Sequence, residues 1–164
     1  MKKRIFIICP VRRPEVGFLN SILIAVGFFW GIEDEWTKNQ NAIGKYVSWL
    51  EAKDYDVYWP ARNNPHQKTD KTGVAICGYN REKMFWADEI HIWYDKNSMG
   101  SIFDIGMFFA FSGTNNFKKF VIINRNDVKP TPHKSFENVI LALEKKFDNL
   151  VANGLKERWE KHGK

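Results

Sequence analysis

Four short apolar runs constrain this chain more than anything else in it: RIFIICP, DVYWP, DEIHIWYD and KKFVIIN, in that order. RIFIICP is a continuous apolar run ended by proline, the pattern of a strand covered on both faces, and the other three read as a second, third and fourth strand. The segments between them can supply the cover. NAIGKYVSWLEAKDY spaces Ile43, Tyr46, Val47 and Leu50 as one helical face. GVAICGYNREKMFWA brings Val74, Cys77, Arg81 and Met84 roughly into line, and SIFDIGMFFAFSG reads as a helix closed by Gly113. SFENVILALEKKFDNLVANGLKERWEKHG supplies one or two terminal helices.

Strand followed by helix, repeated, predicts an α/β fold: a flavodoxin/Rossmann-like three-layer sandwich with a mostly parallel central sheet. With 164 residues the chain fits one domain over 1–164, with an apolar insertion at about 16–36. In such sheets ligands bind beyond the carboxyl ends of the strands. Those ends are CPVRRP, YWPARNN, YDKNSMGS and NRND, where arginine and asparagine recur, a set suited to a polar, anionic ligand. The formal net charge of +6 points the same way. Its cations are scattered rather than gathered in a stripe among aromatics, which favours a nucleotide-sized ligand over nucleic acid.

Cys9 and Cys77 lie in apolar runs without metal-ligand spacing and read as buried thiols of a reducing, cytoplasmic compartment. The four histidines form no ligand pair such as HxxxH, so no metal is expected. MKKRIFIICP starts basic, but its apolar run is too short for a signal peptide. One stretch departs from the alternation. FLNSILIAVGFFWGI, residues 18–32, is mostly apolar yet falls short of the ~20 residues that span a bilayer. Gly27 and Gly31 form a GxxxG pair of the kind that brings helices together. The expectation is a buried or subunit-interface helix rather than a membrane segment, placed after the first ligand loop where it could also act as a lid.

The most informative loop is YDKNSMGSIFDIGMFF, residues 94–109. Ser101-x-x-Asp104 is a capping box, and many helices begin that way with no chemistry attached. Position argues for more. Asp104 opens the helix that follows an inner strand, near Gly100, which lets backbone approach a ligand. Exposed amides at a helix start bind anions. The same positive end should keep Asp104 ionised, as a nucleophilic or cation-stabilising carboxylate requires. Asp95, at the end of the third strand, is read two ways: assisting a leaving base, or capping the turn with its side chain.

These residues carry a resemblance. GSIFDIGMFFAF resembles the segment around the nucleophilic glutamate of nucleoside 2-deoxyribosyltransferases, Gly-Ser-x-Phe-Glu-Ile-Gly. SMGSIFDIG is similar to the Ser-Leu-Gly-x-x-x-Glu-Leu-Gly of the related 2'-deoxynucleoside 5'-monophosphate N-glycosidases. IFIICPVR, VYWP and ADEIHIWYD extend the similarity over the first three strands. The resemblance implies a single deoxyribosyltransferase-like domain that cleaves or exchanges the N-glycosidic bond of a nucleoside or nucleoside 5'-monophosphate, without metal or organic cofactor. Asp104 would attack the anomeric carbon from the face opposite the base, and water or a second base would resolve the glycosyl ester. Ser98 stands where the nucleotide hydrolases hold a phosphate-contacting serine. With Ser101 and with Arg12 on the first loop, it would hold the 5' end, and Asn80 the sugar; Cys9 and Gly100 complete the substrate-binding set. Arg13 is the other cation of that loop. A homodimer or larger assembly is also implied, with residues 18–32 as the candidate contact.

Two positions depart from the family pattern. The family nucleophile is glutamate, and Asp104 is one methylene shorter, a loss of roughly 1.5 Å of reach. The family's sugar-binding aspartate is Asn80 here, which can hydrogen-bond a hydroxyl but cannot act as a base. A non-catalytic nucleotide-binding module on the same fold is therefore the alternative. Tyr58, Trp59 and Trp93 offer faces for a nucleobase, although aromatics of inner strands commonly serve as core. ARNNPHQKTDKTG, residues 61–73, reads as a polar rim over the site, with His66 solvated on it.

Overall fold

The computed structural model describes residues 2–13, 21, 24, 25, 27, 33–112, 118–146 and 149. Strands β1 (Arg4–Ile8), β2 (Asp56–Tyr58), β3 (Glu89–Ile92) and β4 (Lys119–Ile122) form one all-parallel sheet in the order β2-β1-β3-β4. Between them lie α1 (Glu35–Ala52), α2 (Val74–Trp86) and α3 (Met99–Ser112), and α4 (136–146) follows β4. The expected α/β sandwich is present, and each apolar run contains a strand.

Alternation along β1 divides the core into two layers. Ile5 and Ile7 pack with Ile43, Val47 and Leu50 of α1. Phe6 and Ile8 pack with Met84 of α2, Ile105 and Phe108 of α3, and Ile140 of α4. None of these side chains is more than 2% exposed, and each such burial stabilises the fold by about 1.5–3 kcal/mol. Phe108 stacks on Phe120 of β4, ring centroids 5.0 Å apart, which ties α3 to the far edge of the sheet.

Helix starts differ from the sequence expectation for a common reason. The carboxylate of Asp34 accepts from the Thr37 amide at 3.2 Å and the Thr37 hydroxyl at 2.9 Å, so α1 begins at Glu35 rather than at the Asn39 that the sequence spacing suggests. Its first turns carry no apolar stripe, and hydrophobic spacing places the start too late. Likewise α3 begins at Met99. The Ser98 carbonyl accepts from the Ile102 amide at 3.0 Å and its hydroxyl from the Ser101 amide at 3.3 Å. The cap is therefore Ser98, and Ser101 and Asp104 lie inside the helix. In α2 the inward face is also corrected: Asn80 and Met84 are buried, Arg81 is exposed and Val74 is 73% exposed. A buried asparagine escapes any count of apolar residues.

Of the segment 18–32, Ser21, Ile24, Ala25 and Gly27 are helical. The interface, lid and membrane expectations for that segment, most of the 16–36 insertion, the stop at Gly113 and any helix beyond residue 149 lie outside the described residues. Among the described residues no helix is long and apolar enough to cross a membrane.

Candidate active site

From β1 the chain moves outward to β2, and from β3 outward to β4, so the loops leaving these two neighbouring strands diverge. That divergence opens a crevice at the sheet's topological switch point. A cavity of about 410 Å³ occupies it. The β1 loop contributes Cys9, Pro10, Val11, Arg12 and Arg13. The rim after β2 and α2 itself add Gln67, Thr72, Gly73, Ile76, Cys77 and Asn80, and the β3 loop with α3 completes the wall. Seven of the eight residues singled out by sequence line it: Cys9, Arg12, Asn80, Asp95, Ser98, Gly100 and Asp104. Ser101 does not. It is 1% exposed and stands behind Ser98, Oγ to Oγ 2.9 Å, where it supports the cap rather than reaching a ligand.

Asp104 lies more than one turn into α3 and is 6% exposed. Asn80 Nδ2 donates to its Oδ2 at 3.3 Å, and no cation pairs with it among the described residues. Burial pushes its carboxyl up to about 7, with the Asn80 bond opposing. The expectation of an Asp104 kept ionised by the helix start is thus overturned. The dipole's influence fades within the first turn, and at this depth desolvation of the charged form outweighs it.

Asn80 is held from behind. Its Oδ1 accepts from Asn64 Nδ2 at 2.9 Å and from the Tyr58 hydroxyl at 3.3 Å. Asn64 also donates to the Ile76 carbonyl at 3.2 Å and accepts from the His66 amide at 2.9 Å. His66 is half-buried against Tyr79, ring centroids 5.7 Å apart, rather than solvated. The sequence held no spacing signal for this group, because β2, its loop, α2 and α3 meet only in the fold. Tyr58 is core, stacked on Phe6 at 5.2 Å, and Trp59 and Trp93 pack on the α1 side. None of the three lines the cavity, so stacking on a base is not their place.

The two loop arginines separate in role. Arg13 is ion-paired with Asp34 and lies over the Trp36 ring at 5.6 Å, and Gln40 Nε2 donates to the Pro10 carbonyl at 2.7 Å, so the β1 loop is tied to α1. Arg12 is exposed, borders the cavity and has no ion pair among the described residues, which leaves it for an anion. Asp95 Oδ1 accepts from the Asn97 amide at 2.9 Å, so the side chain caps its turn while also bordering the cavity. The NRND loop takes no part in the wall. Asn124 instead clamps Tyr94, accepting from its amide at 2.8 Å and donating to its carbonyl at 2.9 Å.

Cys9 is buried, and burial pushes its thiol up to about 12. Cys77 is half-buried rather than buried, and burial, then the Asp104 charge, raises its thiol as well. Both are neutral, weakly polar wall groups at neutral pH. A Cβ at Gly100 would meet no atom within 4 Å, so the protein itself does not require glycine there. Among the described residues no three His, Cys, Asp or Glu gather as a metal site.

The rim is organised by Asp70, which accepts from the Ile76 amide at 3.0 Å and from the Thr72 and Gly73 amides at 2.9 Å each. These bonds, the Ile76 amide's foremost, hold its carboxyl far below the usual range. They also fix Gly73 at φ 84°, a left-handed conformation suited to glycine. Asp70→Ala is expected to speed amide exchange at Gly73 and Ile76 about tenfold or more, measured by hydrogen exchange. Unchanged protection would mean that the cap does not hold the rim.

Fold and site together define an α/β protein with a small polar cavity at the switch point of a parallel sheet and a nearly buried carboxyl among its lining groups. No family model, curated protein or solved structure matches the chain.

Proposed function

We propose that the cavity binds a nucleoside or nucleoside 5'-monophosphate and that Asp104 cleaves or exchanges its N-glycosidic bond. The observation that carries this reading is the placement of Asp104: a carboxyl only 6% exposed, without a cationic partner among the described residues, bordering a cavity of about 410 Å³. A carboxyl near 7 is poised between its two forms at neutral pH. At this nearly buried position its ionised oxygen is well suited to a sugar carbon that develops positive charge. The similarity of GSIFDIG to the deoxyribosyltransferase motif supports the same assignment.

The reaction runs in two displacements. An Asp104 oxygen bonds to the anomeric carbon as the carbon–nitrogen bond breaks. The electron pair of that bond leaves with the base, which takes up a proton delivered from Asp95 or water at the cavity edge. Water or a second base then attacks the same carbon, gives its proton back to the group that protonated the leaving base, and returns Asp104 as a carboxylate. Arg12 and the start of α3 at Ser98 and Gly100 receive the 5'-phosphate. On this reading the protein works in the reducing cytoplasm as a homodimer or larger assembly, with residues 18–32 as the candidate subunit contact.

A binding module without chemistry is the second reading, favoured by the Asn80 bond that occupies one Asp104 oxygen. Purified protein is incubated with a panel of nucleosides and 5'-monophosphates, and free base is followed by chromatography. Release that Asp104→Ala abolishes supports the enzyme, tight binding without release supports the module, and neither outcome sinks both. Arg12→Ala is expected to weaken 5'-monophosphate binding about tenfold or more while leaving nucleoside binding unchanged, measured by calorimetry. Equal losses for both ligands would remove Arg12 from the phosphate site.

A further inference from the structure

Asn80 has no choice in how it meets Asp104. Its Oδ1 accepts two bonds, from Asn64 Nδ2 at 2.9 Å and from the Tyr58 hydroxyl at 3.3 Å, which leaves Nδ2 to face Asp104 at 3.3 Å. A flipped amide would set oxygen against a carboxylate and oppose its own NH2 to that of Asn64. Asn64 is itself oriented by backbone groups of fixed polarity: it accepts from the His66 N–H and donates to the Ile76 C=O. Direction therefore passes from the backbone through Asn64 and Asn80 to the carboxyl. All four side chains are 5–6% exposed, so water has little part in the arrangement.

We propose that Tyr58 and Asn64 are positioning residues that lock the Asn80 amide as a donor and so commit Asp104 to the acceptor's role, a carboxylate that attacks or stabilises positive charge rather than an acid that gives a proton. The catalytic consequence rests on the functional reading above, and the locked geometry does not. A hydrogen bond donated to a carboxylate favours its charged form, so the lock opposes the burial that pushes Asp104 upward. The other titratable groups around Asp104 are Cys9 after β1, Tyr58 of β2 and Cys77 of α2, all shifted toward their neutral forms. Arg12 and Asp95 border the same cavity.

The test is the titration of the Asp104 carboxyl, followed by carbon NMR of aspartate-labelled protein, with Asp104→Asn identifying its resonance. Tyr58→Phe keeps the ring on Phe6 and removes one donor without changing charge. Asn64→Leu removes the other. The midpoint is expected to rise by roughly half a pH unit in Tyr58→Phe and by about one unit in the double variant, a tenfold loss of ionised carboxylate at a given pH. The acid limb of base release moves with it. Asn64→Leu also severs the Ile76 and His66 bonds, so if it fails to fold, Tyr58→Phe alone decides. A midpoint unmoved or lowered in folded protein overturns the proposal, since a merely structural role would change stability and leave the titration in place. If native protein releases no base from any substrate, the functional reading falls while the titration still judges the lock.

Discussion

Replacing Asp104 by asparagine is expected to stabilise the protein at pH 8 by about 2–4 kcal/mol while abolishing base release. Burial raises this carboxyl from 3.8 to about 7 in the folded state. A carboxyl raised in this way contributes stability that is fully present below 3.8 and is lost as pH rises through about 7, because the folded state must then carry a buried charge. The native protein should therefore weaken between about pH 4 and 7 and level off above that. The variant, with a neutral amide of the same shape that can still accept from Asn80, should not. Asp70, Asp88 and Glu89 are shifted the other way, so their contributions are complete once the pH passes the ordinary carboxylate range, 3.8 for the aspartates and 4.5 for Glu89, and stay constant over the rest of the window. Urea unfolding of both proteins across the window measures the difference directly. Parallel stability curves would show that Asp104 carries no buried-charge penalty. With Asp104 as nucleophile, base release should rise with pH through the same midpoint, giving a site that trades stability for reactivity.

Glu89→Ala is expected to cost about 3 kcal/mol or more, the largest loss foreseen for a residue outside the cavity. Glu89 is nearly buried on β3, where it meets His91 Nε2 at 2.8 Å, pairs with Lys3 and lies 3.6 Å from Lys119 Nζ. The other His91 ring nitrogen meets the Tyr46 hydroxyl at 2.9 Å. Burial would raise the Glu89 carboxyl, yet the hydrogen bonds from His91 and Lys3 and the charge of Lys119 together bring it down to about 2. With the folded value lowered, its stabilisation is present above 4.5 and lost as pH falls through about 2. Alanine leaves the histidine Nε2 buried without a partner. Leucine at both positions removes both polar groups and should recover at least half of the loss. Chemical denaturation of single and double variants reads this out. A single-variant cost below about 1 kcal/mol would mean that water reaches the pair.

How far the site could be read in advance follows from the same physics. Asp104 and Ser98 were visible because a short loop carries them together, SMGSIFD, and local motifs survive in one dimension. Arg12 and Arg13 were equivalent as letters. Only the Asp34 cap of α1, reaching back to Arg13, separated the structural cation from the one left for a ligand. Asn64 read as rim and Tyr58 as a stacking face, yet both turn inward to Asn80, sixteen and twenty-two residues away. Helix starts were missed where a polar cap rather than an apolar stripe sets them.

The sequence by itself determined the parallel sheet, because short, mainly apolar runs need cover on both faces and helical segments lay between them to provide it. It also pointed to the strand ends as the ligand side, while the strand order decided which of those loops meet and left NRND out of the wall. Only the tertiary structure decided the state of Asp104. A residue's charge depends on the water it loses and the donors it gains, and these come from β2, α2 and α3 at once. That sum is three-dimensional, and no spacing along the chain contains it.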